Sequence, residues 1–463
     1  MDYRNSYTGD GLTQDSRSAN IFGQINYKIS DSFTSSTNLT SSHSYSEGFG
    51  PYFYLIPDAV VTENAADAGK ANYLVRADQS TANSKNDVFE VQQNFNGDFL
   101  LGTLRNRIVL GLDFLRINAN QNFFGSQYDV VPINVAGYDY SKFNGINMKA
   151  LYASGPPQFT YPITGIRNTY SAFLSDVLNL TDRLSILAAL RVDRFQNKGG
   201  TEGATVTGYE QTALSPKFGL VFQPLKDRLS LFANYQNSFT NRGVYNAYDV
   251  TARDSLTLRF AKLEQANQFE AGLKLDAFSG KLSTTISYYA IRVNNLLRTD
   301  PNPLAAAKFA QTQDGEQVSK GVEVDIIANP FSGFNVVAGF SYNDSKLEKA
   351  DADVNGRRPT TASSPVLANL WLSYRLPDYL LKGLGFGFGG NYASDNKILN
   401  SISMGEFILP AYTVLNASAF YDRPKFRISA KVDNLTNQQY WIGYTTANPQ
   451  KLRSLVGSIS YKF

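Results

Sequence analysis

A chain of 463 residues with no cysteine and one histidine, His43, cannot build a disulfide, a Cys-ligated metal centre or a His-rich one. Its 43 basic and 40 acidic residues leave a net charge of +3, which gives nucleic acid no electrostatic footprint to read. Charged residues are only 18%, aromatics reach 13%, and no run of about 18 uncharged apolar residues occurs, so a membrane-spanning helix is excluded whereas a transmembrane barrel is not.

The start, Met1-Asp2-Tyr3-Arg4-Asn5-Ser6-Tyr7, has no apolar signal core, so an exported protein would have its beginning upstream of this segment. Period-2 alternation then recurs along the chain. Ile21, Gly23, Ile25, Tyr27 and Ile29 share one face against Gln24, Asn26 and Lys28. Leu184, Ile186, Ala188 and Leu190 oppose Ser185, Arg191 and Asp193, and Leu229, Leu231, Ala233 and Tyr235 oppose Ser230, Asn234 and Gln236. Phe426, Ile428, Ala430 and Val432 alternate with Arg427, Ser429, Lys431 and Asp433. A helix would bring Arg427 and Lys431 together but would split Phe426 from Ile428, whereas a strand segregates the whole set. The last alternation sets Leu455, Gly457, Ile459, Tyr461 and Phe463 against Ser454, Ser458, Ser460 and Lys462.

Connection lengths alternate as well. Short breaks near 30–31, 102, 181–182, 224–227, 279–280, 329–332, 377–378 and 422–424 take turns with long segments at 43–86, 121–165, 197–211, 241–264, 298–314, 348–364, 397–410 and 435–450. Short periplasmic turns and long external loops are the rule of outer-membrane barrels, and a soluble sandwich has no reason to keep it. The rhythm predicts an all-β fold, a transmembrane antiparallel β-barrel, with about seventeen strands. Single-chain bacterial barrels have even counts, so the expectation is an incomplete barrel whose first strand runs inward from an external loop.

Several segments resemble TonB-dependent outer-membrane receptors of the siderophore type. Val432-Asp433-Asn434-Leu435-Thr436-Asn437-Gln438-Gln439-Tyr440-Trp441 is similar to that family's penultimate-strand signature, and Leu455 to Phe463 to its last strand with a terminal aromatic. Ser215-Pro216-Lys217-Phe218-Gly219-Leu220, Lys320-Gly321-Val322-Glu323-Val324-Asp325, and Arg358-Pro359 followed by Pro365 and Asn369-Leu370-Trp371 resemble its internal strands in the same order. The family barrel has twenty-two strands, so the resemblance implies that residues 1–463 form a partial barrel lacking about five. It implies further that the plug domain, TonB box and signal peptide lie outside these residues, and that the chain alone does not transport. Phe463 would be read by the barrel-assembly machinery, and it can be a lipid-facing girdle aromatic at the same time.

The resemblance implies a receptor for a ferric siderophore or similar metal chelate in the outer membrane of a Gram-negative bacterium, bathed by lipid, coupled to the TonB complex through the N-terminal region, and using no cofactor. Candidate ligand-binding residues in external loops are Tyr52, Phe53, Tyr54, Phe123, Phe124 and Tyr128, whose rings present rigid contact area, and Arg242, Arg253 and Arg259, whose guanidinium forks suit carboxylate, catecholate or hydroxamate oxygens. Packing of these rings on one another, or a place in the girdle, is the plainer account of each. Asp351-Ala352-Asp353-Val354-Asn355-Gly356 begins like a calcium-binding EF-hand loop, but position twelve is Ala362 and not a Glu, so an acidic solvated loop is expected. His43 has no nucleophile motif beside it, which argues against an enzyme. A receptor for glycan, cobalamin or another nutrient, a passive porin and an adhesive surface barrel are the alternatives. The strand count also predicts an open or strained seam, because the first and last strands, near 20–30 and 454–463, both run inward.

Overall fold

The computed structural model describes residues 5–67, 70, 72–133, 135–249, 251, 255–403, 405–443 and 447–463. Two compact units are present, Met1–Val177 with Ala189–Pro216, and Leu178–Ala188 with Lys217–Phe463. No helix among the described residues is long and apolar enough to cross a membrane.

In the first unit β1 (Gln14–Lys28) pairs antiparallel with β2 (Phe33–Gly48), and β2 pairs with β4 (Tyr73–Leu101). The short β3 (Pro51–Ile56) joins the upper part of β4. β5 (Leu104–Pro132) completes a hairpin with β4 across the tight turn at Gly102, whose φ of 66° suits a residue without a Cβ. β6 (Phe159–Asn179), β7 (Leu184–Glu202), the short β8 (Ala204–Val206) and β9 (Tyr209–Leu225) come next in the chain, with their residues 178–188 and 217–225 belonging to the second unit.

The second unit continues as a meander. Its strands are β10 (Leu229–Thr240), a loop hairpin of β11 (Val244–Asp249) and β12 (Ser255–Phe260), then β13 (Glu264–Ala277), β14 (Leu282–Thr299), β15 (Gln311–Ala328) and β16 (Phe334–Lys349). β17 (Val366–Arg375) and β18 (Leu384–Ala393) precede a second loop hairpin, β19 (Asn396–Ser401) with β20 (Gly405–Leu409). β21 (Tyr412–Asp422), β22 (Phe426–Asp433), the two-residue β23 (Trp441–Ile442) and β24 (Asn448–Pro449), and β25 (Ser454–Tyr461) end the chain. Each long strand pairs with the next, antiparallel throughout.

Nineteen strands share one sheet, and setting aside the short β3 and β8 leaves the expected seventeen. Among the described residues β1 has β2 as its one strand neighbour and β25 has β22, so the sheet is not closed and keeps two free edges. The alternation is as expected. Phe386, Phe388 and Ile428 are exposed, as a lipid-facing set must be. Arg427 lies on the opposite face from Phe426, with its guanidinium 4.6 Å from the Phe420 ring centroid. Beside it Ser429 and Ser458 share a 2.7 Å hydrogen bond and Lys431 meets Asp433 at 2.6 Å, so this face is polar.

Glycines on that polar face let rings approach the backbone. A Cβ at Gly387 would sit 2.5 Å from Trp371 Cζ2, so the indole occupies the place a side chain would take. On the other face of β18 the exposed Phe386 and Phe388 alternate with these glycines.

The long external segments differ from the sequence expectation. β4 and β5 contain 29 residues each, far more than the roughly 9–11 needed to cross a bilayer, so they continue well beyond it. Much of 43–86 and 121–165 is therefore strand, not loop. The segment 197–211 is also mostly strand, because β7 runs to Glu202 and β9 begins at Tyr209. At the top of β4 the consecutive residues Leu74 to Asp78 are all buried, so both faces are covered and no apolar alternation is left to read. His43 lies inside β2, not at a strand end, and its Nδ1 is 2.5 Å from Asp87 Oδ1 on β4.

Candidate ligand-binding site

The upper end of the first unit is a small external head. It comprises β3, the tops of β4 and β5, the segment 5–11, and helix α1 (Gly145–Ser154), which Asn144 caps by accepting from the Asn147 amide. A bulge reverses the alternation of β4 near its top. Ser46 pairs with Ser84 but Gly48 pairs with Thr81, so β4 carries one extra residue there, next to Asn83 at φ 46°. Below the bulge the odd-numbered Phe89 and Phe95 are on the exposed apolar face. Above it the odd-numbered set, Val75, Ala77, Gln79 and Thr81, turns to the polar inner face.

Register across β3, β4 and β5 sorts the candidate aromatics. Tyr52 pairs with Ala77, Tyr54 with Val75, and Phe123 with Thr81, so these three rings share the inner face. Tyr52 and Tyr54 are 37% and 44% exposed and stack at 6.2 Å with 21° between planes. Burial, then the neighbouring Tyr54 and Asp78, pushes the Tyr52 phenol above its ordinary range, so at neutral pH it is a hydrogen-bond donor as well as an apolar plate. Phe53, Phe124 and Tyr128 lie on the other side and pack the head. Phe53 meets Phe143 edge-on at 6.2 Å, Tyr128 stacks on Phe143 at 5.3 Å, and Phe124 meets Tyr152 at 5.1 Å.

The packing side of the head holds two polar hubs that sequence reasoning missed. Arg76 is 1% exposed and donates from Nε and Nη2 to Asp129 at 2.7 and 2.5 Å. Its Nη1 donates to the Tyr7 and Tyr140 carbonyls at 3.1 and 2.5 Å. Asp78 is fully buried and accepts from the Gly50 amide, Ser80 Oγ and Tyr152 Oη. Burial, then the hydrogen bond to Asp78, pushes the Tyr152 phenol well above the ordinary range. Nothing in the sequence marks Arg76 or Asp78, because their partners come from four separated segments.

The second unit has its own external surface. Arg242 is occupied: its Nε is 2.7 Å from Oε2 of the buried Glu264. Arg259 is exposed on β12, opposite Tyr245 in the loop hairpin. Arg253 lies outside the described residues. Arg298 and Lys349 meet Asp314 at 2.6 and 2.8 Å and hold its carboxyl down at about 2, chiefly through the Arg298 hydrogen bond. A depressed carboxylate stabilises fully above its unfolded value, and this contribution is lost as pH falls through about 2.

The acidic loop is an anchor. Asp351 accepts from the Thr299 amide and hydroxyl, both at 2.8 Å, Asp353 accepts from the Ser403 amide at 2.6 Å, and Asn355 Oδ1 accepts from the Ala350 amide. Arg357 donates to Asn400 at 2.8 Å, and Arg358 donates to the Asn343 carbonyl at 2.8 Å, to Asn343 Oδ1 at 3.0 Å and to the Ser363 carbonyl at 2.6 Å. Protein donors thus occupy the oxygens a calcium ion would need, and no metal-binding group of three or more His, Cys, Asp or Glu forms among the described residues. Neither added calcium nor EDTA should change the proteolytic cleavage of 350–364; protection by calcium alone would restore the EF-hand reading.

Phe463 follows β25, fully exposed, with its ring 5.2 Å from that of Tyr461.

Known proteins share this architecture. Residues 1–435 match the family described as TonB dependent receptor-like, beta-barrel. The chain is 23% identical to the ferrichrome outer membrane transporter/phage receptor of Escherichia coli (strain K12), over 92% of this chain and 55% of that protein. It is 21% identical to the probable TonB-dependent siderophore receptor PiuA of Acinetobacter baumannii, over 94% of this chain and 60% of that protein. The chain therefore spans little more than half the length of these two curated relatives. Among solved structures, the closed form of the ferric-catecholate import receptor Fiu from E. coli K12 matches with a TM-score of 0.75 at 16% identity, covering 99% of this chain and 66% of that one. BauA, the ferric preacinetobactin receptor from A. baumannii, matches with a TM-score of 0.72 at 19% identity, covering 97% and 63%. These two likenesses show the fold. By the match over most of its length, the chain belongs to the TonB-dependent receptor β-barrel family, a family of outer-membrane transport receptors and not of enzymes.

Proposed function

We propose that this protein takes part in TonB-dependent uptake of a metal chelate, most simply a ferric siderophore, with the inner face of the first unit's external head as a contact surface. The observation that carries the reading is the trio Tyr52, Tyr54 and Phe123, which share the inner face while the neighbouring aromatics pack the head. Flat rings with a phenolic donor suit an apolar chelate rimmed by oxygen acceptors. In the second unit Arg259 is the better placed of the two described arginines, since Arg242 already meets Glu264. Coupling to the TonB complex, and recognition of Phe463 by the barrel-assembly machinery, rest on the family alone.

Binding to the protein in outer-membrane vesicles tests this directly. Ferrichrome and a ferric tris-catecholate are titrated beside cobalamin and a maltooligosaccharide. A ferric chelate should bind, and the double change Tyr52→Ala, Tyr54→Ala should weaken it by about tenfold or more, roughly 1.4 kcal/mol. Binding of cobalamin or oligosaccharide alone would move the protein to another nutrient class. Binding of none, with free passage of small solutes, would make it a porin.

A further inference from the structure

We propose that Arg76 and Phe143 are positioning residues for the Tyr52–Tyr54 pair, fixing it from the opposite side of the same three strands; the proposal rests on the chelate-binding reading above. β3 is short and has β4 as its one strand neighbour among the described residues, so the ladder alone holds it weakly. What pins it is its packing side, Leu55 and above all Phe53, both set against the buried cluster around Leu74 and Tyr140; Phe53 lies between the two tyrosines in sequence and directly across from Arg76 in register. The alternation of a strand makes these placements inseparable: with Phe53 seated on the packing side, Tyr52 and Tyr54 must project inward.

The seat is built around the guanidinium. Phe53 packs edge-on to Phe143 at 6.2 Å with 81° between planes. The Arg76 guanidinium carbon lies 5.4 Å from the Phe143 ring centroid and 5.7 Å from that of Tyr128, and these two rings stack at 5.3 Å. Arg76 also ties the segment before β1 into the head through the Tyr7 carbonyl, while the Gly9 amide donates to the Phe143 carbonyl at 2.8 Å. The cation therefore joins the segment 5–11, β4, β5 and the segment carrying Tyr140 and Phe143, and Phe143 passes that order on to β3. A receptor whose contact strand is ordered before the ligand arrives does not lose affinity to ordering it.

The test combines hydrogen–deuterium exchange with chelate titration on the full chain in outer-membrane vesicles, using ferrichrome and a ferric tris-catecholate as probes. Arg76→Gln and Phe143→Leu should each speed exchange over 51–56 by about tenfold or more and leave the 86–97 stretch of β4 unchanged. Both should also weaken chelate binding by about tenfold, although neither side chain is on the inner face. Tyr52→Ala should weaken binding with exchange over 51–56 unchanged, which separates contact from positioning. If Arg76→Gln does not fold, Phe143→Leu carries the test, since it keeps the Arg76–Asp129 pair. Unchanged exchange over 51–56 in the folded variants, or faster exchange with unaltered affinity, overturns the proposal. If the unaltered protein binds neither chelate, the uptake reading fails, and the exchange measurement still decides whether Arg76 and Phe143 order the tyrosine strand.

Discussion

Phe388→Arg is expected to lower the unfolding free energy of the bilayer-inserted protein by about 2–4 kcal/mol, the cost of a guanidinium on the lipid face near the midplane of a barrel. Phe388 is 48% exposed at the middle of β18, on the same face as Phe386. Its cross-strand partners are Leu372 and Ala417, both apolar. The control is Asn369→Arg on β17, which pairs with Asn391 on the opposite, polar face. There the charge meets water and polar neighbours, and the change should stay within about 0.5 kcal/mol. Denaturant-dependent folding into liposomes reads both values. Equal costs at the two positions would mean that the face assignment of β17 and β18 is wrong, and with it the transmembrane reading of the sheet.

The same alternation explains how far the fold could be read in advance. Where a strand has lipid on one side, its apolar residues recur every second position, and Phe426 to Asp433 or Leu455 to Phe463 can be assigned by eye. The strand count emerged from that signal and from turn length. The signal fades where neither face meets lipid: at the top of β4 Leu74 to Asp78 are buried one after another, polar and apolar alike, so the upper halves of β4 and β5 resemble loops although their ladder continues to Tyr73 and Pro132. The inner-facing role of Tyr52, Tyr54 and Phe123 was legible only as aromatic composition. Their separation from Phe53, Phe124 and Tyr128 is plain alternation along β3 and β5, which is readable only where 51–56 and 121–132 are strand and not loop. Arg76 was invisible for a different reason: its partners Tyr7, Asp129 and Tyr140 meet it only through tertiary structure.

Arg191→Met should be among the most destabilising single changes on the polar face. The Arg191 guanidinium lies 5.5 Å from the Phe173 ring centroid, in a nest of acceptors. Its Nε donates to both oxygens of Asp193 at 2.9 and 3.0 Å, and its Nη2 donates to Asp113 at 3.1 Å and to Ser171 at 2.8 Å. Asp193 is 2% exposed, and Asp113 Oδ1 has no hydrogen-bond partner, so the cation is the main compensation for two carboxylates. Removing one partner of a buried pair costs about 3–5 kcal/mol because the other charge stays behind. Arg191 itself keeps 35% side-chain exposure, and water reaching the site brings the expectation to the lower end, about 3 kcal/mol. The double change Arg191→Met, Asp193→Asn removes the stranded charge as well and should recover part of the loss. A coupling of about 1–3 kcal/mol between the two positions is expected from the double-mutant cycle. Arg191→Lys keeps the charge but not the fork that reaches Asp193, Asp113 and Ser171 together, so it should fall between the unaltered protein and Arg191→Met. Strictly additive effects of Arg191→Met and Asp193→Asn would show instead that the Asp193 carboxylate is held by Ser171 and solvent, and that the guanidinium adds only its packing against Phe173.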